Sequence, residues 1–205
     1  SLTSPLTPHP SPLTLMTDIH IFPLQTVLFP GGTLPLKVFE QRYVEMTKAC
    51  LRDEKPFGVC LIREGREVGA PALPEPVGCL ARIRHWDLPH PGLFLLEVEG
   101  EQRFRILEQS VARNGLLTAR IEPIEAEPAA VADETTCVDL LKTIISRVGV
   151  EHFPSPHQFE DAVWVGYRLA EVLPLPMRLK QELLELDDSH VRLQRIRTLL
   201  EASRT

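Results

Sequence analysis

At residues 122–134, EPIEAEPAAVADE, the spacing of apolar residues along this chain changes from two to 3.6. Period two sends alternate side chains to opposite faces of a strand, while 3.6 gathers them into one stripe on a helix. The two periods occupy separate halves, so strands and helices are segregated rather than alternating. The class expected is α+β, mainly β: an antiparallel barrel followed by a C-terminal helical bundle.

In the first half, residues 19–24, 34–39, 57–63, 77–86, 93–99, 102–109 and 116–124 read as strands. They are broken by Pro30-Gly31-Gly32, by the Gly- and Pro-rich loop at 65–76, by Pro91-Gly92, by Gly100 and by Asn114-Gly115. These are the residue types that turns demand. Cys79, Ala81 and Ile83 alternate with Arg82 and Arg84, and Phe104 and Ile106 with Arg103 and Arg105. Each such strand is expected to show one face to a core and the other to water. Residues 41–52 read as one helix, with Tyr43, Met46 and Cys50 on its apolar side.

In the second half four stripes follow one another. Leu140, Leu141, Ile144, Ile145 and Val148 form the first, closed by Gly149. Ala162, Val163, Gly166, Leu169, Ala170 and Leu173 form the second, and Leu179, Leu183, Leu184 and Leu186 the third. Asp187, Asp188 or Ser189 can cap a fourth, carrying Val191 or Leu193, Ile196, Leu199 and Leu200. A stripe must be buried against something, so these helices pack on each other and on the barrel. The organisation expected is a disordered tail at 1–15, a barrel at 16–125, a linker at 126–134 and a helical part at 135–205. The tail assignment rests on four prolines and no charged residue within SLTSPLTPHPSPLTL.

The formal charge of −6 opposes a general affinity for nucleic acid, which needs an excess of Lys and Arg. Cys50, Cys60, Cys79 and Cys137 are far apart and sit among apolar neighbours, as buried reduced thiols do. That pattern points to the cytoplasm. No apolar run approaches the roughly 18 residues that span a bilayer, so no membrane is expected as a partner.

Two phrases carry a family resemblance. One is Ile21-Phe22-Pro23-Leu24, Val27-Leu28-Phe29-Pro30-Gly31, Leu34-Pro35-Leu36, Phe39 and Arg42-Tyr43. The other is Val77-Gly78-Cys79-Leu80-Ala81-Arg82-Ile83 followed by Val98-Glu99-Gly100-Glu101-Gln102-Arg103-Phe104-Arg105-Ile106. With Leu169-Ala170, Leu173-Pro174-Leu175 and Lys180-Gln181-Glu182-Leu183-Leu184-Glu185, they resemble the N-terminal, substrate-binding domain of Lon proteases over residues 19–201. The resemblance implies a PUA-like pseudobarrel with a helical bundle, and contact with unfolded or partner polypeptides. It also implies where the chain departs from the full enzyme. None of the five lysines follows a glycine, so there is no phosphate loop, and the Gly-Pro-Ser-Ala-Gly phrase of the protease is missing. A stand-alone, non-catalytic module is expected, without cofactor.

Other chemistry is weak. His85 and His90 flank a turn, and His152 and His157 lie five apart in a Pro-containing loop, with no ligand spacing for a metal. Ser146 has no nucleophile elbow, and Glu97, Glu99 and Glu101 read as a solvated edge. Two features could bind a polypeptide or RNA. Arg82, Arg84, Arg103, Arg105 and Arg120, with Trp86, would make a cationic and aromatic barrel face if they are not paired with glutamates on the same strands. Phe39, Tyr43 and Phe94 would line a groove between barrel and helices, unless they are core aromatics.

Overall fold

A computed structural model describes residues 18–204, so the expected tail at 1–15 lies outside the described residues. The strands are β1 (Asp18–Leu24), β2 (Thr33–Val38), β3 (Phe57–Glu64), β4 (Leu73–Pro74), β5 (Val77–His90), β6 (Leu93–Val111) and β7 (Leu117–Pro123). They form one seven-stranded sheet in the order β1-β7-β6-β5-β3-β4, with β2 added on β6. A parallel pairing of β1 with β3, Ile21 opposite Gly58 and Leu24 opposite Leu61, closes the ring. The other ladders are antiparallel.

Inside the ring, Ile19, Ile21, Cys60, Leu80, Phe104, Ala119 and Ile121 form a dry cluster. Outside it lies α1 (Gln41–Asp53), whose Tyr43, Met46 and Cys50 meet Phe22, Phe57, Val59, Cys79, Phe94 and Val98. Tyr43 stacks on Phe22 with centroids 4.1 Å apart and planes 6° from parallel. The helix ends where Glu54 turns left-handed at φ 52°.

Two expectations are corrected. Gly100 is not a hairpin turn: β6 runs unbroken from Leu93 to Val111. The reason is a close approach. Gly31 donates to the Gly100 carbonyl at 2.7 Å and Gly100 donates to Gly32 at 2.8 Å. A Cβ at position 100 would stand 2.2 Å from the Phe29 carbonyl oxygen, so the site is reserved for glycine by contact, not by turning. The second correction concerns one-sided strands. Residues 77–81 of β5 are buried on both faces, and Arg103 is 3% exposed. Helix α1 covers Cys79 and Ala81, and a second layer covers Val77 and Arg103.

That layer is the bundle: α2 (Thr135–Val148), α3 (Ala162–Val172), α4 (Met177–Glu185) and α5 (Ser189–Ala202). The stripes behave as read except at Val148, which is exposed: Leu141, Ile145, Leu169, Ala170, Leu183, Leu184, Leu193 and Ile196 share one core, which also takes in Phe29 and Val77 of the barrel. Asp161 caps α3 by accepting from Val163 N–H, and Asp188 caps α5 by accepting from His190 and Val191. Gly149, at φ 116°, ends α2. The stretch 126–134 joins the halves and is itself packed, since Ala132 donates to the Glu160 carbonyl and Ala162 to that of Ala130.

Candidate functional site

The strand order leaves β2 as an edge. It pairs with β6 from Thr33–Glu99 to Val38–Phe94, and its other side carries no strand among the described residues. Beside that edge lies a groove of about 360 Å³, lined by Phe22, Leu24, Leu34, Leu36, Phe39 and Val68, among others. Phe39 is 57% and Val68 56% exposed, while Tyr43 forms the buried floor through its stack on Phe22. Phe39 and Tyr43 therefore do share a groove. It lies between β2, the start of α1 and the 65–72 loop, not at the junction of barrel and bundle. Phe94, opposite Val38, is buried in the core beneath β2 and β6 and does not line it.

The arginines do not form one face. Arg82 pairs with Glu101 at 2.5 Å and also donates to the Glu54 carbonyl. Arg84 pairs with Glu99 at 2.8 Å, and Arg120 with Glu108 at 3.2 Å. These are cross-strand neutralisations of the kind that sheets use routinely. Arg82, Arg84 and Trp86 do come together, around a second hollow of about 440 Å³ with Lys55 and Cys50. Trp86 is 55% exposed there and tilts against Phe94 at 5.9 Å. Arg105 is exposed on β6, opposite Glu122. Arg103 is the exception, buried because the bundle covers its strand. It donates to the carbonyls of Leu184 and Leu186 at 2.8 and 2.9 Å and to Asp187 at 3.1 Å.

The junction itself holds polar residues that sequence patterning does not single out. Glu127 accepts from Arg192 at 2.9 Å and from the Tyr167 hydroxyl at 2.6 Å. Arg168 donates to the Pro30 carbonyl at 2.7 Å and forks onto Glu171, at 2.9 and 2.8 Å. Burial pushes the Glu171 carboxyl up to about 7, against the pull of Arg168 and Lys180. Such contacts tie two layers together, and every charge in them has a partner. They bind the fold rather than a ligand.

The four thiols are free and buried. Burial holds Cys50 and Cys137 at about 11 and pushes Cys60 and Cys79 higher, so none is a poised nucleophile. Ser146 bonds the Thr143 carbonyl at 2.8 Å, and His157 packs against Trp164 at 5.6 Å. Among the described residues no helix is long and apolar enough to cross a membrane.

A closed strand ring backed by a helical bundle, with an open edge strand over an apolar groove, defines an α+β domain built on a β-barrel. The chain belongs to the family of the ATP-dependent protease La (Lon) substrate-binding domain, whose profile matches residues 18–202. It is 30% identical to the Lon protease of Anaeromyxobacter dehalogenans over 199 residues, covering 91% of this chain and 23% of that one. It is 28% identical to Lon protease 2 of Myxococcus xanthus over 197 residues, covering 91% and 24%. The chain thus spans about a quarter of the length of these relatives. Among solved structures, the Lon N-terminal domain protein from Xanthomonas campestris superposes with a TM-score of 0.73 at 34% identity, covering 89% of this chain and 98% of that one. The N-terminal domain of the Mycobacterium avium complex Lon protease shares the fold, with a TM-score of 0.60 at 18% identity and coverage of 86% and 94%.

Proposed function

We propose that this domain is a non-catalytic polypeptide-binding module at work in a reducing compartment such as the cytoplasm. The observation that carries the reading is the match of residues 18–202 to a substrate-binding domain family. Two further features support it. The thiols are unpaired and buried. A half-exposed apolar groove beside a strand edge is the type of surface on which extended chains are held.

The basic strand surface gives the RNA reading little support. Arg82, Arg84 and Arg120 each face a glutamate, and Arg103 is inside. The Arg82, Arg84 and Trp86 hollow is kept as a second contact area for acidic or aromatic segments of the same polypeptide. The test is retention, on immobilised protein, of a reduced and carboxymethylated polypeptide that cannot refold, beside its native form and a labelled single-stranded RNA. Retention of the unfolded chain alone is expected. Retention of RNA alone, weakening with salt, would replace the reading with the nucleic-acid one.

A further inference from the structure

We infer that Asn114-Gly115, at the tip of the β6–β7 hairpin, is a covalent modification site: Asn114 loses ammonia when the tip parts from α1, and the change keeps it parted. Asn114 is the one asparagine in the 205 residues, and it stands directly before a glycine. In such a pair the glycine nitrogen can attack the side-chain amide before it, because no Cβ shields that nitrogen or restricts its backbone. Asparagine is counted among the thermolabile residues.

The step needs no reagent besides water. The Gly115 nitrogen gives up its proton and bonds to Cγ of Asn114, closing a succinimide ring. The Cγ–Nδ2 bond breaks, and Nδ2 takes up a proton and leaves as ammonia. One water then opens the ring. Attack at the former side-chain carbonyl restores the backbone with an aspartate in place. Attack at the other leaves an isoaspartate, whose backbone runs through the side-chain carbons. Nothing is oxidised or reduced.

In the folded protein each reacting group is tied. The Gly115 N–H donates to the Ala112 carbonyl at 2.9 Å, closing a turn in which Gly115 holds φ 85°. Oδ1 of Asn114 accepts from the Leu116 N–H at 3.0 Å, and its Nδ2 donates to Glu45 of α1, also at 3.0 Å. Gln41 steadies the same carboxylate at 3.3 Å, and these two bonds hold the Glu45 carboxyl below its ordinary range. Arg42 donates to the Gly115 carbonyl at 3.1 Å. Ring closure therefore belongs to conformers in which the tip has come away, and Glu45 sets how often they occur.

The product does not refit. A carboxylate at 114 would face Glu45 across the gap that the amide now bridges, like charge against like. An isoaspartate adds a backbone atom before Gly115 and displaces the carbonyl that Arg42 holds. Arg42 is 6% exposed and its Nε already has no hydrogen-bond partner among the described residues. Without that carbonyl it keeps only Glu40 and the face of Tyr43. Both of those residues line the groove beside β2, so a change at the hairpin tip reaches the groove wall.

The experiment incubates the whole protein in warm neutral buffer, native and in urea, and follows intact mass, which a single asparagine makes unambiguous. Fragmentation of the peptide spanning 114 then separates aspartate from isoaspartate. Slow native conversion to both products is expected, faster in urea. Glu45→Ala is expected to speed the native reaction about fivefold, as for one hydrogen bond lost. Glu45→Gln, whose side-chain oxygen still accepts, should stay within about twofold of the parent. The converted fraction should exchange amide hydrogens faster over 112–117 and 40–47. Conversion in urea but in neither the native parent nor Glu45→Ala would overturn the site. Aspartate without isoaspartate would overturn the ring route. Equal rates in all three proteins would remove Glu45 from it, and unchanged exchange would overturn the unlatching.

Discussion

Arg192 donates to Glu127 at 2.9 Å with the two side chains 0% and 4% exposed, so a full ion pair from α5 and the inter-half stretch lies out of water. Its surroundings complete it. Arg192 also donates to the carbonyls of Leu183 and Leu186, and its guanidinium lies 4.2 Å from the Tyr167 ring centroid. Arg103 approaches the same carboxylate from β6 at 3.9 Å. One glutamate thus serves cations from both layers. Removing it leaves the buried Arg192 guanidinium without its anion, while Arg103 keeps Asp187, and Glu127→Ala is expected to cost about 3–5 kcal/mol. Urea unfolding of the variant and the parent measures this; a loss below about 1 kcal/mol would mean water reaches the network.

Glu171 makes stability depend on pH in a definite direction. Its carboxyl is raised by burial from 4.5 to about 7 in the folded state. The unfolded chain therefore ionises it first as pH rises. The stabilisation is fully present below about pH 4.5 and is lost as pH climbs through about 7. Relative to Glu171→Gln, which cannot titrate, the parent should lose roughly 1–3 kcal/mol between pH 4.5 and pH 8. Paired urea titrations at several pH values would show a constant difference if the group does not titrate in this window.

Two glycines separate crowding from backbone conformation. At position 100 a Cβ would meet the Phe29 carbonyl at 2.2 Å, whereas at Gly92, with φ 81°, nothing lies within 4 Å. Gly100→Ala is expected to cost about 3 kcal/mol by forcing the 29–32 turn off the barrel. Gly92→Ala carries only the left-handed penalty of about 1 kcal/mol. Equal losses on thermal unfolding would show that the turn at 29–32 yields.

All four cysteines are buried, with thiol pKa values raised to about 11 or above. At pH 8 a chromogenic disulfide reagent should label none of them within minutes in the native protein. In denaturant it should label all four. Rapid native labelling would place a thiol in a locally opening segment, with Cys137 on α2 and Cys50 on α1 the ones to distinguish by mass spectrometry.

The elements most legible in the sequence are those fixed by local periodicity. The Leu141 and Ile145 stripe, the Asp188 cap and the Gly149 stop all follow from spacing and short-range chemistry. Gly100 reads as a turn because a glycine between two apolar alternations looks the same whether the chain turns there or another backbone presses on it. Arg103 alternates like a surface residue, and only the bundle, arriving from eighty residues further on, buries it. Glu127 sits in an acidic, Ala- and Pro-rich stretch that gives no sign of its partners at 167 and 192. The groove is half legible: Phe39 and Tyr43 stand out as aromatics, but the openness of β2 depends on which strands pair. Pro35 and Lys37 were the signal for an edge, since neither suits a strand paired on both sides.

Ring closure carries a consequence for the order in which this fold can be made. Asp18 on β1 lies opposite Arg120 on β7, about a hundred residues away. Joining chain ends that far apart costs about 4 kcal/mol in loop entropy. The β5–β6 hairpin, turned at Pro91-Gly92, carries no such cost. The β1–β7 ladder is therefore among the last to form, waiting for residue 123 to appear, while β1 can already pair with β3. In pulsed hydrogen exchange during refolding, amides of β5 and β6 should gain protection before those of the β1–β7 ladder. A nascent chain halted near residue 110 would present two open strand edges at once, and for that interval the barrel is itself a candidate for a chaperone's attention.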